Sequence, residues 1–359
     1  MAIRLAISMG DPSGVGPEVT ARALARLRGA VVPYVFGDAR VFARAARRAR
    51  LALPAVDPGQ PLPRGGALVR VTRLDPRAAR PGKPSRAGGI AQLAYLESAF
   101  DCLRRGEAEA LVTAPVSKAQ VQRALPGFSG HTEWLEDRGG GSRSVMMLGG
   151  RRLKVALVTN HLSLRSALRA LSTERILRVV AATDHALRRD LGVARPRIAV
   201  AGLNPHAGEG GAFGDEERRL VRPAVRRARR RGIQASGPWP PDSVFFRAAT
   251  GEFDAVVALY HDQGLIPVKL LDVVTGDAAV NVTLGLPFVR TSPDHGVAYD
   301  LAGRGRASPR SMEAALRLAA AIARRRRSAR ARVSIPGGPV SPPAAVLARD
   351  RRARAARQR

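Results

Sequence analysis

With 359 residues, the chain is long enough for one large or two ordinary domains around a sizeable core, and its 45% hydrophobic content excludes global disorder. One cysteine, Cys102, excludes an internal disulfide and a thiolate metal cluster, which suits a reducing cytoplasm. The net charge of +31 invites a nucleic-acid partner, but much of it is scattered through helices, and only four of the 60 basic residues are lysine. That skew reads as GC-rich coding bias and leaves only the C-terminal tail as an arm for nucleic acid.

The first apolar run, RLAISMG, predicts a strand that is too short for a secretory signal. No uninterrupted apolar run approaches the ~20 residues needed to cross a bilayer, so a cytoplasmic protein without a membrane partner is expected. The loop that follows, MGDPSGVGPEVTARAL, enters a helix at Pro17. Backbone N–H groups there suit a phosphate or carboxylate as well as they suit a purely structural turn. Without G-x-G-x-x-G the loop gives no ground for a Rossmann domain.

VVPYVFG predicts the next strand, and residues 52–90, rich in Pro, Gly and Arg, a region of loops and short strands. GGIAQLAYLESAFDCLRRG is a helix carrying Cys102 as a small buried residue, and the strand EALVTAPVS leads to Lys118. In GHTEW, His131, Thr132 and Glu133 could donate to an anion or serve as helix-start chemistry. The strands KVALVTN, RIAVAGLN, DAVVALYHD and AAVNVTLG then alternate with helices, the pattern of a largely parallel sheet with helical cover. Lys154 is read as a solvated edge charge and His185, inside a helix, as structural. From about residue 329 a Pro/Gly linker and basic tail are expected to be disordered.

Three histidines, His161, His206 and His261, stand just past predicted strand ends, where parallel sheets deliver their ligands. Singly, each is read as a hydrogen-bonding loop residue. Together, three imidazoles with an open fourth position would make a catalytic zinc-type site. Their spacings of 45 and 55 residues fit no local finger, so such a site would be tertiary. Two of the chain's three asparagines, Asn160 and Asn204, lie within two residues of these histidines, and Asn281 begins another apolar stretch. Asp262 could orient the imidazole beside it, Lys269 could clamp an anion, and Arg290 suits a bidentate anion contact.

Together, GDPSGVGPE, GHTEW, TNHLSL, GLNPHAGEGG, GPWPPDS, YHDQGLIPVK and VNVTLGLPFVRTSPDHG resemble, over residues 3–325, the 4-hydroxythreonine-4-phosphate dehydrogenase family of pyridoxal phosphate biosynthesis. The resemblance implies an isocitrate/isopropylmalate dehydrogenase-like α/β fold, mostly parallel, with a cleft between two α/β/α subdomains. Their expected extents are 1–130 plus 285–328, and 131–284, with 329–359 as the tail. It implies oxidation of a phosphorylated hydroxy acid with a divalent metal (Zn, Mg, Mn or Co) and NAD or NADP. His161, His206 and His261 would be the metal ligands, and His131, Thr132, Lys269, Asn281 and Arg290 the substrate contacts. Asp242 and Asp262 would orient ligands or accept a proton. The family is homodimeric with its site at the interface, which implies His161 and His206 from one chain and His261 from its neighbour. In TNHLSL, Asn160 and Ser163 replace the family's threonine and proline. That departure leaves phosphorylated threonate or erythronate and a cyclic dihydrodiol dicarboxylate open as substrates. From outside the family, a metal-dependent phosphatase or hydrolase could use the same histidines.

Overall fold

A computed structural model describes residues 2–140 and 144–333. Twelve strands form one sheet: β1 (Ile3–Ser8), β2 (Val31–Asp38), β3 (Ala55–Val56), β4 (Ala67–Thr72), β5 (Ala110–Thr113), β6 (Val145–Gly149), β7 (Lys154–Leu157), β8 (Ile198–Ala201), β9 (Ala235–Trp239), β10 (Ala255–Ala258), β11 (Val280–Leu284) and β12 (Arg290–Pro293). Their order is β3-β4-β2-β1-β5-β12-β11-β6-β7-β10-β8-β9. The mostly parallel α/β architecture read from the sequence is therefore present.

Two parallel blocks make up this sheet. One runs from β3 to β12 and the other from β7 to β9; antiparallel β11 and β6 join them, so the blocks point in opposite directions. Strands β5, β8 and β10 (ALVT, IAVA, AVVA) are buried along their whole length, as unbroken apolar runs require when helices cover both faces. One large core cluster lies under both blocks, and a smaller cluster fills the opposite face of each. Strands β6 and β9 lack a clear sequence signal: VMMLG is a short hairpin arm, and ASGPW carries a glycine and a proline.

Residues through Arg326 form one compact unit, and in the second, beginning at Arg327, residues 327–333 are helical. The last helix runs Arg310–Val333, so the tail boundary expected near 328 falls inside it. The remainder of the expected disordered tail, 334–359, lies outside the described residues. Cys102 is buried on the helix Arg86–Arg104, where loss of hydration pushes its thiol up to about 12. Among the described residues, no helix is long and apolar enough to cross a membrane.

Candidate active site

The end of β7 is tied to the end of β10 by the buried Thr159 hydroxyl, which donates to the Leu259 carbonyl at 2.8 Å. That link sets the rings of His161 and His261 5.8 Å apart, lining a cavity of about 210 Å³ with Asn160, Tyr260 and Asp262. Gln263 joins the next strand. Its Oε1 accepts from Leu259 N at 2.7 Å, and its Nε2 donates to the Gly202 carbonyl past β8 at 2.7 Å.

Past β8 the backbone enters the left-handed region at His206 (φ 53°) and stays there through residue 210; His161 is also left-handed (φ 51°). Non-glycine residues rarely adopt such angles, and their persistence requires support. Buried Glu217 provides it, accepting from Leu203 N (2.7 Å), Asn204 N (2.8 Å) and Asn204 Nδ2 (3.0 Å).

Each histidine has its Nδ1 turned toward a carboxylate. His261 meets Asp262 Oδ1 at 2.6 Å, His206 lies 3.7 Å from Asp242 Oδ2, and His161 lies 3.8 Å from Glu133 Oε1. Only the His261 contact is of hydrogen-bond length; a carboxylate on Nδ1 leaves Nε2 free to ligate, so this donor set fits a divalent cation. The sequence expectation has His206 with His161 and His261 from the neighbouring chain; within one chain the His261 ring lies beside that of His161. Strand order accounts for that contact: β10, which leads to His261, lies between β7 and β8. Among the described residues of one chain, no three His, Cys, Asp or Glu side chains converge on a metal position.

Glu133 joins this pair to a second cluster. It lies in the first turn of the helix His131–Gly139, where Thr132 also sits, and the Gly130 N-cap gives no side-chain cap. Burial, helped by nearby Arg290 and Lys118, holds the His131 imidazole well below its usual range and therefore neutral. His131 Nε2 is buried without a hydrogen-bond partner, as is Asn281 Oδ1 on β11. Arg290, at the start of β12, is only 3% exposed. Its guanidinium donates to the hydroxyls of Thr113 (2.7 Å) and Thr283 (2.9 Å), both neutral. A buried cation with neutral partners beside orphaned polar atoms is a site waiting for an anion.

Lys269 is placed differently. Its ammonium is held by Asp294 Oδ2 at 2.9 Å, in a separate cavity of about 300 Å³ that also contains His295, whose Nε2 is buried and unpartnered. In the glycine loop after β1, the N–H groups of Asp11, Ser13, Gly14 and Val15 are taken by acceptors within the chain. His185 is exposed on its helix, away from any functional cluster.

Lys118 and the bridging role of Glu133 were not assigned from the sequence. The only signal for Lys118 was its rarity as one of four lysines. It lies on the five-residue helix Lys118–Gln122, and a methyl group added at Gly130 would sit 3.5 Å from its Nζ. Lys118 stands close enough to Glu133 for their charges to attract, and Lys118→Met is expected to raise the KM for an anionic substrate roughly tenfold or more, with a smaller change in kcat. Steady-state kinetics with the substrate varied would check this.

A mostly parallel α/β sheet carrying histidines at adjacent strand ends, with a buried cation pocket beside them, defines an α/β enzyme acting on a small anion. The chain belongs to the family described as "Pyridoxal phosphate biosynthetic protein PdxA", whose family model matches residues 30–319. It is 46% identical over 326 residues to a 4-hydroxythreonine-4-phosphate dehydrogenase of Desulfosudis oleivorans, covering 88% of this chain and 94% of the relative. The crystal structure of a 4-hydroxythreonine-4-phosphate dehydrogenase from Klebsiella pneumoniae is similar at a TM-score of 0.76 and 41% identity, covering 90% of this chain and 98% of that one. A terephthalate 1,2-cis-dihydrodioldehydrogenase from Burkholderia xenovorans shares the fold at a TM-score of 0.62 and 31% identity, covering 89% and 98%.

Proposed function

We propose that this chain oxidises the secondary hydroxyl of 4-phosphooxy-L-threonine (4-hydroxythreonine 4-phosphate) in pyridoxal 5′-phosphate biosynthesis, with a divalent metal (Zn, Mg, Mn or Co) and NAD or NADP. The product is a β-keto acid that loses carbon dioxide to give 3-amino-2-oxopropyl phosphate. The observation carrying this reading is Glu133, which faces the His161 imidazole and lies close enough to the buried Arg290 for their charges to attract. Histidine pair and anion pocket therefore form one site.

His161, His206 and His261 are the metal ligands, shared between two subunits, and Glu133, Asp242 and Asp262 orient them. A cation bound there supplies Lewis acidity at the substrate hydroxyl, and NAD supplies the hydride acceptor. Arg290 and Lys118 bind the substrate's anionic groups, and neutral His131 with Thr132 and Asn281 orients it by hydrogen bonds. Lys269, paired with Asp294 in its own cavity, is a further substrate contact. Asp242 and Asp262 are exposed and stand on imidazole nitrogens, which favours an orienting role over proton transfer. We further place the metal ligands in a subdomain spanning 131–284, opposite one formed by 1–130 and 285–328, in a cytoplasmic homodimer.

The test is NADH formation by purified protein with 4-phosphooxy-L-threonine. Chelation is expected to remove it and added metal to restore it. Phosphate release without NADH would replace this reading with a phosphatase. A second substrate is favoured by one observation: Asn160, which departs from the family pattern, lines the histidine cavity, and the Burkholderia relative is named for a non-phosphorylated substrate. Faster turnover of 4-phosphothreonate or of a dihydrodiol dicarboxylate would move the assignment there.

A further inference from the structure

Across the sheet from the helix His261–Thr275 lies a cavity of about 840 Å³, well within the size range of small-molecule sites. Its floor is apolar, formed by Met147 of β6, Val280 and Val282 of β11, and Leu318 of the last helix. Strand alternation separates the two faces: Met147 and Val280 join the large core cluster, whereas Leu148 and Ala279 join the cluster beneath the helix His261–Thr275.

The rim is positive. Arg151, Arg152 and Lys154, at the turn from β6 to β7, and Arg317 stand around it, against the single carboxylate of Asp277. Arg317 is paired with Glu313 at 2.9 Å, and Asp277 accepts from the backbone N of Arg152. Lys154 is not the solvated edge charge that the sequence suggested. It is half-buried, its ammonium donates to the Arg151 carbonyl at 3.2 Å, and loss of hydration lowers its pKa. An apolar floor under such a rim matches a ligand with one anionic end and an apolar body.

We propose that this cavity binds a small organic anion, with its phosphate or carboxylate on Lys154 and Arg151 and its apolar body against Met147, Val280, Val282 and Leu318. The site stands apart from the histidine cavity and does not depend on the dehydrogenase reading. Residues 275–278 line it too, and Thr275 is the last residue of the 15-residue helix that begins with His261, about 22 Å away along its axis. A ligand here could therefore reach the histidine site through that helix.

The test uses the full chain with anilinonaphthalene sulfonate, an apolar anion whose fluorescence reports binding. One probe per chain is expected, bound at least tenfold more weakly by Lys154→Met, which removes the charge, and by Ala321→Phe, which fills the cavity. His161→Ala should bind the probe as the wild type does, which keeps this result separate from the fate of the dehydrogenase reading. Competition by octanoate or by pyridoxal 5′-phosphate would show whether the natural occupant is an alkyl carboxylate or an aromatic phosphate. Equal affinity in wild type and both variants, or displacement by NAD, would overturn the proposal.

Discussion

Arg290→Met is expected to melt no lower than the wild type yet lose on the order of 10²–10³ in kcat/KM. The guanidinium is buried, and its hydrogen bonds go to the Thr113 and Thr283 hydroxyls, which cannot neutralise it. Burial lowers its pKa to about 10, a desolvation cost on the order of 3 kcal/mol. Because the folded-state value lies below the unfolded one, that cost is fully present below pH ~10 and so throughout any neutral assay. A methionine of similar length removes the cost and keeps the packing. Function loses its main anion contact at the same time. Inorganic phosphate should raise the melting temperature of the wild type and leave the variant unmoved, because only a ligand that prefers the folded state stabilises it. A variant that melts many degrees lower, with activity reduced only in proportion to the folded fraction, would make Arg290 a structural residue instead.

The sheet's main strands were legible because both faces are covered. IAVA and AVVA are apolar at every position, and KVAL is apolar after its first residue. The histidines were legible for the same reason, each standing just past such a run. Which of them meet was not, because β7 and β10 pair residues 101 apart (Val155 with Val256), and nothing local in NHLSL or YHDQG encodes that β7 lies beside β10. Arg290 was found from its place after an apolar stretch, but its burial among threonines required the register of β12 against β5. Lys269 looked like a free clamp because Asp294, its partner, is 25 residues away. Lys118 stayed unassigned because its neighbourhood with His131 is made by the fold.

Two inactive variants mixed together, His161→Ala and His206→Ala, are expected to regain about one quarter of wild-type activity once their subunits exchange, a yield fixed by twofold symmetry. Random reassortment makes half the dimers mixed, and each mixed dimer holds one intact site. This outcome follows if His161 and His261 serve one site and His206 serves the site of the partner subunit. The opposite division, His161 with His206, would give no rescue for this pair and rescue for His161→Ala with His261→Ala. The helix that begins at His261 also offers a surface for that assembly. Ile266, Leu270, Val273 and Val274 recur at helical spacing along one side and are 66, 64, 83 and 72% exposed. A contiguous apolar stripe of that kind on a lone chain marks an association surface. Leu270→Arg should therefore sediment as a monomer with an unchanged far-ultraviolet spectrum, and with activity lower by on the order of 10² because each site has lost its third ligand. A monomeric Leu270→Arg that kept wild-type turnover would show the site to be complete within one chain, and with it would go the reason for expecting rescue.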